Sequence, residues 1–86
     1  MTQPDASEIF GAIHQHLVRR LHVPSEQITV STRFTEDLNV DSLTAVELLM
    51  ELEDRYGVIV TDEEAAQMGT VGEAATFIAA RLAIRS

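Results

Sequence analysis

Two helix-start signals in quick succession constrain this chain more than any other feature. Thr61-Asp62-Glu63-Glu64 and Thr70-Val71-Gly72-Glu73 each place a threonine three residues before a glutamate. That spacing lets the hydroxyl take one free N–H of a helix end while the carboxylate takes another. The first box predicts a short helix over about 62–67, and the second a longer one over about 71–84. On the longer helix Val71, Ala74, Ala75, Ile78 and Leu82 fall on one face, with Phe77 close to it.

The same grammar organises the rest. Ile9, Phe10, Ile13, Leu17, Val18 and Leu21 recur by threes and fours, as on one side of a helix that Ser7 or Asp5 caps and Val23-Pro24 stops. A loop follows from about Ser25 to Val40, with Ile28, Val30, Phe34 and Leu38 expected to plug it onto the core. A loop of that length inside a compact domain is uncommon and often functional. A further helix is predicted from Asp41, its cap, to about Tyr56, with Leu43, Val46, Leu49, Met50 and Leu52 buried and Gly57 ending it in the left-handed conformation. Val58-Ile59-Val60 has no partner strand and reads as an extended crossing segment. The prediction is an all-α fold: a small four-helix bundle of three longer helices and a short third one.

Composition limits what such a bundle does. Eighty-six residues, 45% of them hydrophobic, make one domain over 1–86 with a single core. There is no cysteine, hence no disulfide or thiolate metal site. No run of about 18 apolar residues occurs and the N-terminus lacks a secretory pattern, so a soluble, cytoplasmic protein with no membrane span is expected. The net charge is −8, and residues 36–86 carry all of it, with ten acids between Glu36 and Glu64. Such a field repels nucleic acid and steers basic protein surfaces toward this half.

Asp41-Ser42-Leu43 sits at the centre of the acidic half. Four chemistries compete for the serine. It is an ordinary helix start; or a nucleophile, for which His14, His16 and His22 offer no base with an orienting carboxylate; or part of a calcium loop. Asp37-x-Asn39-x-Asp41 opens like an EF-hand, but Ser42 and Leu48 stand where glycine and glutamate are needed, so no metal site is expected. The fourth reading makes Ser42 the attachment point of a phosphodiester-linked group, which the free N–H groups and dipole of a helix start suit. The residues themselves leave the first and fourth readings open.

The segment from Phe34 to Ile78 resembles an acyl carrier protein. The resemblance lies in Phe34-x-Glu36-Asp37-Leu38-x-x-Asp41-Ser42-Leu43-x-x-Val46-Glu47-Leu48-x-Met50-x-Leu52-Glu53-Asp54-x-Tyr56-Gly57, then Ile59-x-Thr61-Asp62-Glu63-Glu64-Ala65, then Thr70-Val71-Gly72-Glu73-Ala74-x-x-Phe77-Ile78. It implies a carrier and not an enzyme. Ser42 would receive 4′-phosphopantetheine from coenzyme A through a holo-synthase type phosphopantetheinyl transferase, and the thiol of that arm would hold acyl groups as thioesters. Asp41, Leu43, Glu47, Glu53, Asp54, Asp62 and Glu63 match positions that partners recognise, the partners being acyl-transfer and synthase enzymes with basic docking surfaces. Val46, Leu49, Leu52, Ile59, Ala65, Met68, Val71 and Ala75 would line the interior that shelters an acyl chain. A monomer is expected, serving fatty acid, polyketide or related biosynthesis. The alternatives are a peptidyl or aminoacyl carrier, and an unmodified acidic adaptor of the same shape.

The chain departs from the family's pattern in several places. Asn39 stands where glycine is usual and tolerates the left-handed turn. Thr44 and Ala66 replace acids, Glu51 adds one, and Thr61 replaces a proline with a capping hydroxyl.

Overall fold

Four α-helices and one short 3₁₀ turn make up the protein, described for residues 4–85 by a computed structural model. Helix α1 spans Ala6–Leu21, the 3₁₀ turn Ser25–Gln27, α2 Ser42–Tyr56, α3 Asp62–Ala66 and α4 Val71–Arg85. Among the described residues there is no strand, only a single antiparallel bridge between Arg33 and Thr70.

Each helix begins where its cap dictates. Asp5 accepts the Glu8 N–H at 2.9 Å and starts α1. Asp41 accepts the Thr44 N–H at 2.8 Å and starts α2. Both capping boxes form: Thr61 and Glu64 exchange bonds of 3.0 and 3.1 Å, and Thr70 and Glu73 bonds of 2.9 and 3.1 Å. Helix α1 ends one step before the proline signal. His22 takes the left-handed conformation at φ 56° and returns its N–H to the Val18 carbonyl. Gly57 ends α2 in the same way at φ 67°.

Helix α1 packs most extensively along α4. Ile9, Ile13 and Leu17 meet Val71, Ala75, Ile78 and Leu82 in the core, with Leu48 and Leu52 from α2 closing it. Ile9, Ile13, Leu17 and Ile78 are wholly buried, each worth about 1.5–3 kcal/mol relative to exposure. In the crossing segment Val58 and Val60 turn inward while Ile59 is 76% exposed, an extended chain as expected.

The loop between α1 and α2 is fixed by its backbone. The Val30 and Thr32 carbonyls accept the Gly72 and Val71 N–H groups, both at 2.9 Å, and the Gly69 carbonyl accepts the Phe34 N–H at 3.2 Å. A helix start leaves such N–H groups without intrahelical partners, so the loop completes α4. Thr32, buried, keeps its hydroxyl satisfied by donating to the Gln27 carbonyl and accepting the Thr29 N–H. Ile28 and Val40 are buried and Phe34 and Leu38 half-buried, as expected of plugs. Val30 is a correction. Its side chain is 59% exposed, and its carbonyl makes the anchoring contact.

Gly72 lies so close under this loop that an added Cβ would stand 2.7 Å from the Val30 carbonyl oxygen and 2.9 Å from its Cβ. Gly11, inside α1 and exposed, has nothing within 4 Å. The same substitution therefore has opposite signs at the two sites. Gly11→Ala raises stability by about 0.5–1 kcal/mol through helix propensity. Gly72→Ala lowers it, because crowding backbone costs about 1–3 kcal/mol and outweighs that gain. Urea denaturation of the two variants checks both signs.

Candidate functional site

The approach to Ser42 is a closed turn. The Arg33 carbonyl accepts the Asp37 and Leu38 N–H groups, Asp37 Oδ2 accepts the Arg33 N–H at 2.8 Å, and the Phe34 carbonyl accepts the Val40 N–H at 2.9 Å. Asn39 sits in the left-handed region at φ 55°, the conformation its side chain tolerates. Because Phe34 is bonded to Gly69 and Val40 is buried, this turn delivers Asp41 and Ser42 from a fixed base.

Ser42 is the first residue of α2, and its side chain is exposed. His14 and His16 are engaged away from it. His14 Nε2 bonds the Ser25 carbonyl at 2.9 Å, and His16 Nδ1 pairs with Glu51. Among the described residues no group of three or more His, Asp or Glu side chains is placed to hold a metal ion. Asp37 and Asp41 instead spend an oxygen each on backbone N–H groups. That cap bond from Thr44 is the main reason the Asp41 carboxyl titrates below its ordinary value of 3.8, with Arg20 adding a smaller pull.

The α2 face that meets the core differs from the one the apolar spacing suggested. Thr44, Leu48 and Leu52 are buried, with Ala45 and Leu49 half-buried. Leu43, Val46 and Met50 are instead 66%, 50% and 58% exposed. Apolar residues surround most of this helix, so periodicity alone does not choose a side. The turn through Val40 sets the rotation. Leu43, Val46 and Met50, at i, i+3 and i+7, make an outward apolar stripe.

On the adjacent side lies a cavity of about 240 Å³. Ala45, Leu48, Leu49 and Leu52 form its α2 wall, Ala65 and Ala66 of α3 with Met68 just after it the facing wall, and Phe34 and Ala74 close it. Of the expected interior residues, Leu49, Leu52, Ala65 and Met68 line it. Val46 and Ile59 face solvent, while Val71 and Ala75 are buried in the α1–α4 core apart from it. Ala74 takes the place expected of Ala75 on α4. Ser42, Ala45 and Leu49 follow one another at i, i+3 and i+7, so the serine heads the same helix face that enters the cavity. That spacing was present in the sequence and would have found Ala45.

The acids divide by occupation. Glu47 accepts from Arg20 at 2.9 Å, Glu51 pairs with His16, and Glu53 accepts the Val60 N–H at 2.9 Å, stapling the end of α2 to the crossing segment. Asp54, Asp62 and Glu63 are exposed on the surface. Glu64 titrates below its ordinary 4.5, chiefly through the Thr61 N–H and then through Arg81.

An exposed hydroxyl at a helix start, with an apolar cavity below it on the same face, fits a phosphate-linked arm with an apolar cargo. Residues 11–78 match the family described as phosphopantetheine attachment site. The chain belongs to that family. It is a carrier protein, not an enzyme, and its prosthetic group is 4′-phosphopantetheine, installed by a phosphopantetheinyl transferase. The fold is that of acyl carrier proteins. The acyl carrier protein of Enterococcus faecalis superposes with a TM-score of 0.79 at 28% identity, covering 91% of this chain and 99% of that one. A solution structure of a protein assigned as an acyl carrier protein from Anaplasma phagocytophilum gives 0.78 at 29% identity, covering 93% and 94%. No helix among the described residues is long and apolar enough to cross a membrane.

The lowered Asp41 and Glu64 values fix the sign of the carrier's acid response. A carboxylate whose folded pKa is depressed stabilises fully above its unfolded value, and that contribution is lost as pH falls through the folded one. Between neutral pH and about 5 these caps stay charged. The melting temperature is therefore expected to hold down to about pH 5. It then falls below the ordinary values of 3.8 and 4.5 as the two caps protonate. Calorimetric scans across that range check the shape, and a steady fall beginning at neutral pH contradicts it.

Proposed function

We propose that Ser42 bears the arm and that residues 1–86 form one carrier domain that shuttles acyl thioesters between enzymes. When bound, the arm supplies a terminal thiol on which an acyl group is held as a thioester. The chain's own residues do the rest. Asp41 fixes the helix start, so the Ser42 hydroxyl stands exposed to the transferase and coenzyme A. The α2 N–H groups and dipole favour a phosphodiester at that position.

The observation that carries the reading is the spacing of Ser42, Ala45 and Leu49 on α2, which sets the exposed hydroxyl at the head of a face bearing two cavity-lining residues. A chain folding back from Ser42 along α2 meets Leu48, Leu49 and Leu52 on one side and Ala65 and Met68 on the other. This apolar lining supports acyl cargo of the fatty acid or polyketide kind over aminoacyl cargo. Docking would use the neighbouring stripe, Leu43, Val46 and Met50, together with the exposed acids Asp54 on α2 and Asp62 and Glu63 on α3. An apolar stripe accompanied by exposed acids suits an enzyme surface that offers an apolar patch with lysine and arginine. Glu47 is available to such a partner once Arg20 is displaced, whereas Glu53 is committed to the backbone of Val60.

The test is the intact mass after incubation with coenzyme A and a broad-specificity phosphopantetheinyl transferase. Wild type is expected to gain one phosphopantetheine and Ser42→Ala none, with unchanged helical circular dichroism. Equal gain in both would place the attachment at another residue. A folded wild type that gains nothing would favour the unmodified adaptor.

A further inference from the structure

Helix α3 is the least anchored wall of the cavity. It is five residues long, none of its side chains is buried, and it has no extensive backbone contact with another helix. Its capping box is internal to the segment, because Thr61 and Glu64 bond each other. Ala65 and Met68 pack against the core only half-buried, so apolar burial holds this segment less firmly than the long helices and leaves part of the hold to polar contacts.

Arg81 supplies that part. From the third turn of α4 its Nη1 donates to the Ile59 carbonyl at 3.1 Å, and its Nη2 bonds Glu64 Oε2. The guanidinium carbon lies 5.0 Å from the centre of the Phe77 ring on its own helix. Arg81 is 33% exposed and Glu64 28%, so the pair is partly shielded from water. Glu64 uses its other oxygen on the Thr61 N–H, so one carboxylate joins the start of α3 to α4. A single side chain thus grips the segment at residue 59 and at residue 64, on either side of the α3 cap. Ala65, Ala66 and Met68, which wall the cavity, follow directly.

We infer that Arg81 is the latch that sets how far α3 stands from the bundle, and hence the length of acyl chain the carrier shelters. The inference rests on the carrier reading above. With the latch closed, the cavity keeps its volume of about 240 Å³. With it open, α3 pivots about its junction with Val60, which Glu53 keeps pinned to α2, and the space between Leu49 and Met68 deepens. The latch makes Arg81 a determinant of cargo specificity that touches neither Ser42 nor the arm.

The experiment has two arms. In the first, amide exchange is followed on the unloaded protein for wild type, Arg81→Met and Glu64→Gln. The methionine keeps an apolar stem over Phe77 and removes both donors. Loss of the charged Arg81–Glu64 hydrogen bond, common to both variants, is expected to speed exchange at residues 64–68 about tenfold or more, with α1 and the core of α4 unchanged. In the second arm, the transferase loads acyl groups of increasing length from acyl-coenzyme A, and the melting temperature is read for each. Wild type is expected to gain stability with length up to a limit, and both variants to reach that limit at a longer chain.

Exchange that is unaltered at residues 64–68, or accelerated evenly through the protein, overturns the latch. So does an unchanged length limit in variants whose α3 exchange has risen. If loading succeeds but no chain of any length stabilises wild type, the cavity reading fails and the latch with it. If the mass shows no loading at all, the carrier reading is the one that has failed, and the exchange arm still decides whether Arg81 holds α3.

Discussion

The N–H groups at the start of α4 have no partners within their helix, and the long loop after α1 provides them. Val71 and Gly72 bond the Thr32 and Val30 carbonyls, and the Thr70 hydroxyl takes the Glu73 N–H. An unmet buried N–H costs about 1–3 kcal/mol, so loop and helix stabilise each other. From this junction the chain runs through Phe34, bonded to Gly69, into the left-handed turn at Asn39 and the cap at Asp41. The position and rotation of α2 depend on that path. A loop of this kind would ordinarily be mobile, but here it is the ground from which Ser42 is presented.

Once α2 is rotated this way, its residues divide into stripes with separate tasks. Leu48 and Leu52 enter the core; Ala45 and Leu49 wall the cavity beneath Ser42; Leu43, Val46 and Met50 remain outside. Exposed apolar side chains in a row mark an interaction surface more readily than single ones do. The contact of α1 with α2 is partly polar, through the ion pair of Arg20 with Glu47 and the contact of His16 with Glu51. The acids of α2 are therefore of three kinds: Glu47 and Glu51, held by side chains of α1; Glu53, held by the Val60 N–H; and Asp54, left exposed.

How much of this was legible in the sequence follows from the range of each interaction. Caps are local: Asp41, Thr61 and Thr70 announced three α-helix starts, the Asp5-or-Ser7 pair bracketed the fourth, and Gly57 announced an end. The α1 face was legible because its apolar residues keep largely to one side, and the α4 face because Val71, Ala74, Ala75, Ile78 and Leu82 recur at helical spacing among mostly small neighbours. The α2 face was not, since Leu43, Val46 and Met50 compete with Leu48 and Leu52, and a distant loop makes the choice. Val30 anchors through a carbonyl, which no side-chain pattern encodes. Glu47 and Glu53 read as free surface acids because their partners, Arg20 and the Val60 N–H, come from other segments. Arg81 showed nothing of its grip on Glu64, a residue 17 positions earlier.

The central claim is that Ser42 and the cavity lie on one face of α2 while docking belongs to the next. The most direct measurement loads a short acyl chain, isotopically labelled, through phosphopantetheine and maps its nuclear Overhauser contacts to protein methyl groups. Contacts to Ala45, Leu49, Ala65 and Met68, with none to Val46 or Met50, are the predicted result. A chain that touches Leu43, Val46 and Met50, or that touches no methyl group, would contradict it.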